Sequence, residues 1–353
     1  MRILYGVQAT GQGHISRARA MAEALSRYPV DVTWLFSGRD RNDLFDMEPF
    51  GQFEWRRGLT FSSRRGRVSY LRTLLDNDIG QFLRDVKGLA LGSYDLVVTD
   101  FEPVSAWAAR IRNVPSIGIG HQYAFGPTTP MLGDWLSRQV MRNFAPVDTG
   151  LGLHWHQYGT GVLPPILDLP DHSLEQDDHI LVYLPFEDQQ WVTELLNKLP
   201  DTRFVQYARD LPAGIRGNVI RRPANTVNFK RHLATCSGVI CNSGFELISE
   251  CLQWRKPVLT KPLQRQMEQL SNALALEQLR YARPAHDLSV AAIEAWLASP
   301  VAAPELSFPD VAAELAAWLA GGAAEPATHL SDRLWQQTHR HPVPTGPALP
   351  SAA

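Results

Sequence analysis

Two short stretches of this 353-residue chain bring together side chains suited to an anionic, hydroxyl-rich ligand. The first, Gly6 to Arg19, reads GVQATGQGHISRAR: Gly11 and Gly13 follow an apolar run, and His14 stands in the first turn of an expected helix. Glycines let the backbone take positive φ and let a ligand come close, while a helix N-terminus offers unpaired N–H groups to negative charge. An imidazole at the mouth of such a turn can take a proton from a hydroxyl near neutral pH once its other nitrogen is oriented. The plainer alternative is a helix-capping or core histidine. The loop is not a dinucleotide fingerprint, which needs glycine where Ser16 stands, nor a P-loop, since no Gly-Lys-Ser/Thr follows.

The second stretch runs from Val239 to Asn272. Val239 to Cys241 reads as a strand, Asn242 to Gly244 as a tight turn, and Phe245 to Leu252 as a helix whose apolar stripe is Phe245, Ile248 and Leu252. Ser243 and Gly244 then make a second anion site, and the stripe turns Glu246 and Glu250 outward together. Glu250, two turns in, can accept hydrogen bonds from a ribose diol. Beyond Pro262 come Gln264, Glu268, Gln269 and Asn272, whose amides and carboxylate suit sugar hydroxyls, with Met267, Leu270 and Leu274 burying the opposite face. Solvated surface helices are the plainer explanation of both segments.

The elements around these stretches alternate. Arg2 to Val7, Asp31 to Phe36, Asp95 to Thr99 and Ser116 to Ile119 read as strands with helical stretches between them, and strands alternating with helices imply a parallel sheet. Carboxyl ends of parallel strands are where α/β ligands bind, which makes Asp100, Glu102 and His121 further candidates. A Pro-rich, acidic connector spans 161–178. The alternation then restarts at His179 to Leu184 and continues through Arg203 to Tyr207, Val239 to Cys241 and Pro257 to Thr260. The expected organisation is two similar α/β units, residues 1–165 and 176–325, followed by a Pro- and Ala-rich, partly disordered tail over 326–353.

Composition narrows the function. Lys plus Arg is 34 against Asp plus Glu 36, a net charge of −2, so no global field recommends nucleic acid as a specific partner. Cys236, Cys241 and Cys251 are odd in number and form no CxxC pair, which argues against a disulfide framework or a zinc knuckle and for buried thiols. His154 and His156 share one strand face without an evident third ligand, so no metal is expected. Asp76-Asn77-Asp78 falls inside a helical pattern, Tyr70 to Val86, and is discounted as a metal motif. Six arginines between Arg56 and Arg72, Arg64 and Arg65 among them, could grip a phosphorylated or lipid-linked acceptor or an anionic membrane surface, or form a solvated loop. No secretory signal and no run of 18 or more apolar residues is seen, so the expectation is a cytoplasmic protein, peripheral to a membrane at most.

The two stretches, in this order, resemble the GT-B glycosyltransferases, most closely the group holding the peptidoglycan N-acetylglucosaminyl transferase and the monogalactosyldiacylglycerol synthases. Thr10-Gly11-Gln12-Gly13-His14 is similar to that group's N-terminal glycine loop. Ser243-Gly244, Ser249-Glu250, Lys256-Pro257, Pro262-Leu263-Gln264, Gln269 and Asn272-Ala273 are similar to its donor signature. The resemblance implies two Rossmann-like domains facing a central cleft, with the acceptor on the N-terminal side and a nucleotide-sugar donor, UDP-sugar first, on the other. It implies Glu250 on the donor ribose, Ser243 and Gly244 amides on the diphosphate, Glu268 and Gln269 on the sugar, and backbone from Asn225 to Phe229, with Asn228, along the base. His14 would be the general base or a phosphate-facing group, with Asp100, Glu102 or His121 as substitutes for the base and His121, Arg64 and Arg65 on the acceptor side, in an inverting transfer that needs neither metal nor cofactor. Tyr183-Leu184-Pro185-Phe186-Glu187 departs from the Gly-Gly-Ser loop many relatives carry there. A nucleotide-sugar epimerase of the same fold and a catalytically silent nucleotide-sugar binder are the alternatives.

Overall fold

The computed structural model describes residues 1–60, 63–64, 67–68, 77–159, 161–170, 177–209, 211–223 and 226–340. Its frame is two seven-stranded sheets. The first is built from β1 (Arg2–Gln8), β2 (Asp31–Ser37), β3 (Glu54–Trp55), β4 (Leu96–Asp100), β5 (Ser116–Gly120), β6 (Thr149–Leu153) and β7 (Val162–Leu163). They lie in the order β3-β2-β1-β4-β5-β6-β7, every neighbouring pair parallel. The second contains β8 (His179–Tyr183), β9 (Arg203–Ala208), β10 (Gly214–Arg216), β11 (Val219–Pro223), β12 (Gly238–Asn242), β13 (Val258–Lys261) and β14 (Arg283–Pro284). Its order is β10-β11-β9-β8-β12-β13-β14, with β10 alone antiparallel.

Helices α1 (Gln12–Leu25), α2 (Ile79–Gly88), α3 (Pro103–Arg112), α4 (Trp135–Phe144), α5 (Gln189–Leu196), α6 (Thr226–Thr235), α7 (Phe245–Gln253) and α8 (Met267–Leu279) lie in the crossovers, and α9 (Val290–Ala298), α10 (Val311–Ala320) and α11 (Ala327–Gln337) follow β14. With helices on both faces, the strands read as continuous apolar runs rather than alternations. Ile3, Leu4, Tyr5 and Val7 of β1 are all 0 % exposed. Each such side chain contributes about 1.5–3 kcal/mol by leaving water.

Strand order fixes where ligands can bind. Each sheet reverses direction beside its first strand, between β1 and β4 in one and between β8 and β12 in the other. The crevice beyond the carboxyl ends at such a reversal is the ligand site of open α/β sheets. The glycine loop with His14 follows β1, and Ser243-Gly244 follows β12.

The C-terminal helices return to the first unit. α10 packs along α1, sharing one apolar cluster with Ile15, Ala18 and Met21. Residues 326–353 were expected as a tail, but 327–337 form α11, whose Leu330 and Leu334 are fully buried and whose Ser331 hydroxyl and Trp335 indole both donate to the Val162 carbonyl, at 2.6 and 2.7 Å. Leucines at i and i+4 supplied the apolar stripe that the Pro- and Ala-rich surroundings masked. The part of that tail beyond 340 lies outside the described residues. Among the described residues no helix is long and apolar enough to cross a membrane.

Candidate active site

Val7 and Asp100 are register partners at the adjoining ends of β1 and β4. After β1 the chain turns at Thr10, Gly11 caps α1 in an extended conformation (φ −114°), and His14 falls in the first turn. His14 Nδ1 then lies 2.7 Å from Asp100 Oδ1. One turn further along α1, the buried Arg17 places Nε 2.8 Å from Asp100 Oδ2, Nη2 2.5 Å from Asp100 Oδ1, and Nη2 3.0 Å from His14 Nδ1. A guanidinium cannot accept a hydrogen bond and an ionised carboxylate cannot donate one. The shorter contact decides the tautomer: the Asp100 carboxylate at 2.7 Å needs a proton on Nδ1, while Arg17 Nη2, the longer neighbour at 3.0 Å, has its acceptor in Asp100 Oδ1, so the Nε2 lone pair is left to the cleft, which His14 lines. Burial alone would raise the Asp100 carboxyl, but Arg17 and His14 outweigh it and hold the group below the ordinary carboxylate value.

The opposite wall repeats the arrangement. β12 runs into Ser243, Gly244 caps α7 in an extended conformation, and Glu246 occupies the first turn. Arg17 Nη1 donates across the cleft to Glu246 Oε1. Gly13 is required for this approach, because a Cβ there would stand 2.3 Å from Glu246 Oε2. A turn deeper, the buried Glu250 receives Lys230 Nζ from α6, and burial, only partly offset by Lys230, pushes its carboxyl up to about 7. At the start of α8, Glu268 Oε2 accepts from Gln122 Nε2 at 3.1 Å, and Gln269 Oε1 accepts the Leu263 N–H at 3.0 Å.

Most helices with a described N-terminus are capped by a side chain; the three that open on the cleft are not. Asp78, Glu102, Asp134, Asp188, Ser289 and Asp310 close the N-termini of α2, α3, α4, α5, α9 and α10 with side-chain acceptors. α1, α7 and α8 start at Gly11, Gly244 and Gln266 without one, and all three starts line the same cleft. α11, away from it, also begins uncapped at Pro326. Uncapped N–H groups carry the positive end of the helix dipole, which places three such ends around one space.

That space has two compartments. The smaller is walled by Tyr183, Tyr207, Phe229, Lys230 and Glu250. The larger holds His14, Gln122, Glu268 and Gln269 beside apolar Phe101, Val140, Met141 and Phe186.

The sequence matches the family described as glycosyl transferase family 1 over residues 1–300. The chain belongs to that family. This glycosyltransferase shares its fold with solved structures of low identity. A Streptomyces sp. SF2575 glycosyltransferase complexed with thymidine diphosphate superposes with a TM-score of 0.56 at 18 % identity, covering 96 % of this chain and 99 % of its own. A calicheamicin glycosyltransferase gives 0.57 at 13 % identity over 95 % and 97 %, and a spinosyn forosaminyltransferase 0.55 at 14 % over 95 % of each chain. The architecture is the two-domain Rossmann-like GT-B fold. No curated protein matches the sequence.

Several residues singled out from the sequence of this glycosyltransferase stand elsewhere than expected. Glu102 is buried as the cap of α3, its oxygens taken by Val104 N–H, Ser105 N–H and Ser37 Oγ at 2.8, 2.6 and 2.5 Å, so it offers nothing to the cleft. His121 is equally buried: Nδ1 meets the Leu153 carbonyl at 2.8 Å and Nε2 meets Asn272 Oδ1 at 2.6 Å, with the ring stacked 4.1 Å from Phe245. It joins the domains instead of facing an acceptor, and Asn272, which also donates to the Ser243 carbonyl at 3.0 Å, is part of that joint. The Ser243 hydroxyl lies 2.9 Å from Thr260 Oγ1, and the Gly244 N–H turns back to the Asn242 carbonyl at 2.8 Å. The open amides of α7 are thus those after Gly244. Gln264 is half-buried on the loop before α8, and Asn228 is exposed while its neighbours Phe229 and Lys230 line the smaller compartment.

Asp78 caps α2, Asn77 brackets the Thr60 backbone, and Asp76 lies outside the described residues, as does Arg65; of Arg64 only the backbone is described. Among the described residues no cluster of three metal-ligating side chains occurs. The departure after β8 is filled by Pro185 and Phe186, which line the larger compartment, and by Glu187, whose Oε1 takes Lys261 Nζ at 2.6 Å. The three cysteines are free and buried. Sequence reasoning missed Arg17, Lys230 and Gln122. Arg17 carried one signal, its place three residues after His14 on the same side of α1.

Proposed function

We propose that this glycosyltransferase catalyses metal-independent, inverting transfer from a nucleoside-diphosphate sugar to an acceptor hydroxyl, with His14 as general base. Residues 1–165 hold the acceptor and 176–325 the donor, as in the peptidoglycan N-acetylglucosaminyl transferase group. The observation that carries the reading is the Asp100-held His14 opening on a cleft whose far wall presents the uncapped starts of α7 and α8. His14 Nε2 takes the acceptor proton as the acceptor oxygen attacks the anomeric carbon. The bond from that carbon to the diphosphate breaks, and the nucleoside diphosphate leaves with its electron pair. Helix ends and amides meet the growing charge. Asp100 keeps the tautomer and stabilises the imidazolium that forms.

The smaller compartment suits the nucleoside. Aromatic Tyr183, Tyr207 and Phe229 offer stacking faces, and Glu250 offers lone pairs to ribose hydroxyls. Glu268 and Gln269 stand where the sugar would lie. A UDP-sugar is the first donor to try, and TDP-sugars follow because the Streptomyces neighbour is complexed with thymidine diphosphate. The apolar side of the larger compartment fits a lipid-linked acceptor, and the arginines from Arg56 to Arg72 a phosphorylated one, with the protein cytoplasmic and peripheral to the membrane.

The test is thermal unfolding with UDP-, TDP-, GDP- and CMP-sugars, on wild type and Glu250→Ala. A ligand that binds only the folded state raises the transition with concentration. One nucleotide should stabilise wild type and not the variant. No stabilisation by any would overturn the donor reading.

A further inference from the structure

The two compartments share Gln12, Gly13, Tyr183, Glu246 and Leu247, so the passage between them runs between the first turns of α1 and α7. On the donor reading above, a nucleoside in the small compartment and its sugar in the large one must be joined by a diphosphate threading that passage. The passage already contains an anion. Glu246 turns its carboxylate back across it, against Gly13 and onto Arg17 Nη1, at the uncapped end of α7.

We propose that Glu246 is a resident anion on the diphosphate path, and that donor binding exchanges its carboxylate for phosphate on Arg17; this rests on the nucleotide-sugar reading. A carboxylate and a diphosphate cannot share so narrow a passage without strong repulsion between like charges. The Glu246 side chain is 20 % exposed and borders the wide compartment, so it has space to swing into. Its departure would leave Arg17, whose side chain is 1 % exposed, with one N–H group unpaired, a costly state unless another anion arrives. Phosphate oxygens supply that anion, and the freed start of α7 supplies further donors. Arg19, also on α1, lines the nucleoside compartment, where its Nε donates to Asp168 Oδ2 at 3.2 Å while its buried Nη1 has no hydrogen-bond partner, a donor left for the nucleoside end of the guest.

The exchange makes the site selective. A nucleoside alone has no charge with which to displace Glu246 and fills only the small compartment. A nucleoside diphosphate meets both the repulsion and the reward.

Calorimetry with UDP, TDP, uridine and thymidine tests this on wild type, Glu246→Gln and Glu246→Ala. Glu246→Gln keeps the side-chain volume and a carbonyl for Arg17, and the alanine variant guards against an amide that holds its place. Removing the resident charge should tighten UDP or TDP binding about tenfold or more, with nucleoside affinity at the wild-type value. A merely structural Glu246 would weaken both classes of ligand together. Diphosphate affinity unchanged or weaker in both variants, with wild type binding normally, overturns the exchange and leaves the donor reading standing. Failure of all three proteins to bind any of the four probes, and GDP and CMP besides, overturns both.

Discussion

The units β1–α1 and β12–α7 face each other as two versions of one device: a parallel strand, a glycine-bearing turn, an uncapped helix and a functional side chain in the first turn. They differ in where that side chain finds its partner. His14 is held by Asp100, 86 residues away but in the same sheet, whereas the Glu246 partner, Arg17, lies 229 residues away in the opposite domain. The His14–Asp100 pair therefore lies within one domain, while the Glu246–Arg17 pair is completed only when the domains meet. On the proposed function, the proton acceptor is fixed in one half and donor recognition depends on both.

Removing His14 tests that division most severely. His14→Gln should lower kcat/KM by about 10²- to 10⁴-fold, the usual contribution of a general base, with nucleoside-diphosphate affinity kept. Equal loss of donor affinity would show that the two walls are not divided in labour. Asp100→Asn comes next and reaches further: besides disordering the His14 tautomer it leaves Arg17 buried against a neutral amide. Breaking such a buried pair costs about 3–5 kcal/mol, so Tm should fall along with turnover. Glu102→Gln is the matching control, a neighbouring buried carboxylate that caps α3, and should lower Tm without changing kcat.

The difference between the walls also explains how much could be read from the sequence. Strand and helix periodicity gave the two α/β units because parallel strands are apolar throughout and their crossover helices carry stripes, as Ile15, Ala18 and Met21 do on α1. His14 and Gly11-Gly13 were legible because they are contiguous. Asp100 was found only as a rival to His14, since nothing local tells that a residue at the end of β4 lies beside a helix start 86 positions earlier. Glu250 was legible as a ribose candidate, but a solvated face was the plainer explanation of it and Glu246 because α7 has one apolar stripe; α1 of the first domain and Lys230 of α6 cover its polar side too, leaving Glu250 only 4 % exposed. For the same reason Gln269, Ser271 and Asn272 of α8 are buried where a surface face was expected, and Leu270 and Leu274 are not. Interdomain burial of polar groups has no periodic signature.

On the donor wall the largest expected effect is at Glu250. Glu250→Ala removes a charged acceptor and should weaken nucleotide binding more than tenfold, or about 1.4 kcal/mol. Calorimetry with UDP would read it. An unchanged affinity would detach the ribose from α7 and leave Glu250 as a structural partner of Lys230.

A smaller effect separates those two roles by pH. Burial places the Glu250 carboxyl at about 7. Ribose hydroxyls are donors, and only the ionised carboxylate has all its lone pairs free to accept them, so nucleoside affinity should fall as pH drops through about 7. Uridine is the probe, because it carries no phosphate that titrates in the same range. Stability moves in the other direction. The folded state holds the Glu250 proton more tightly than the unfolded chain does, whose carboxyl titrates near 4.5. The contribution to stability is thus fully present below the unfolded value and is lost as pH rises through about 7. Wild type minus Glu250→Gln, in both uridine affinity (1/Kd) and Tm across this range, should therefore show two opposite slopes, affinity rising and Tm falling as pH rises. A Tm slope without the affinity slope would assign Glu250 to the fold alone and move ribose recognition elsewhere in the smaller compartment.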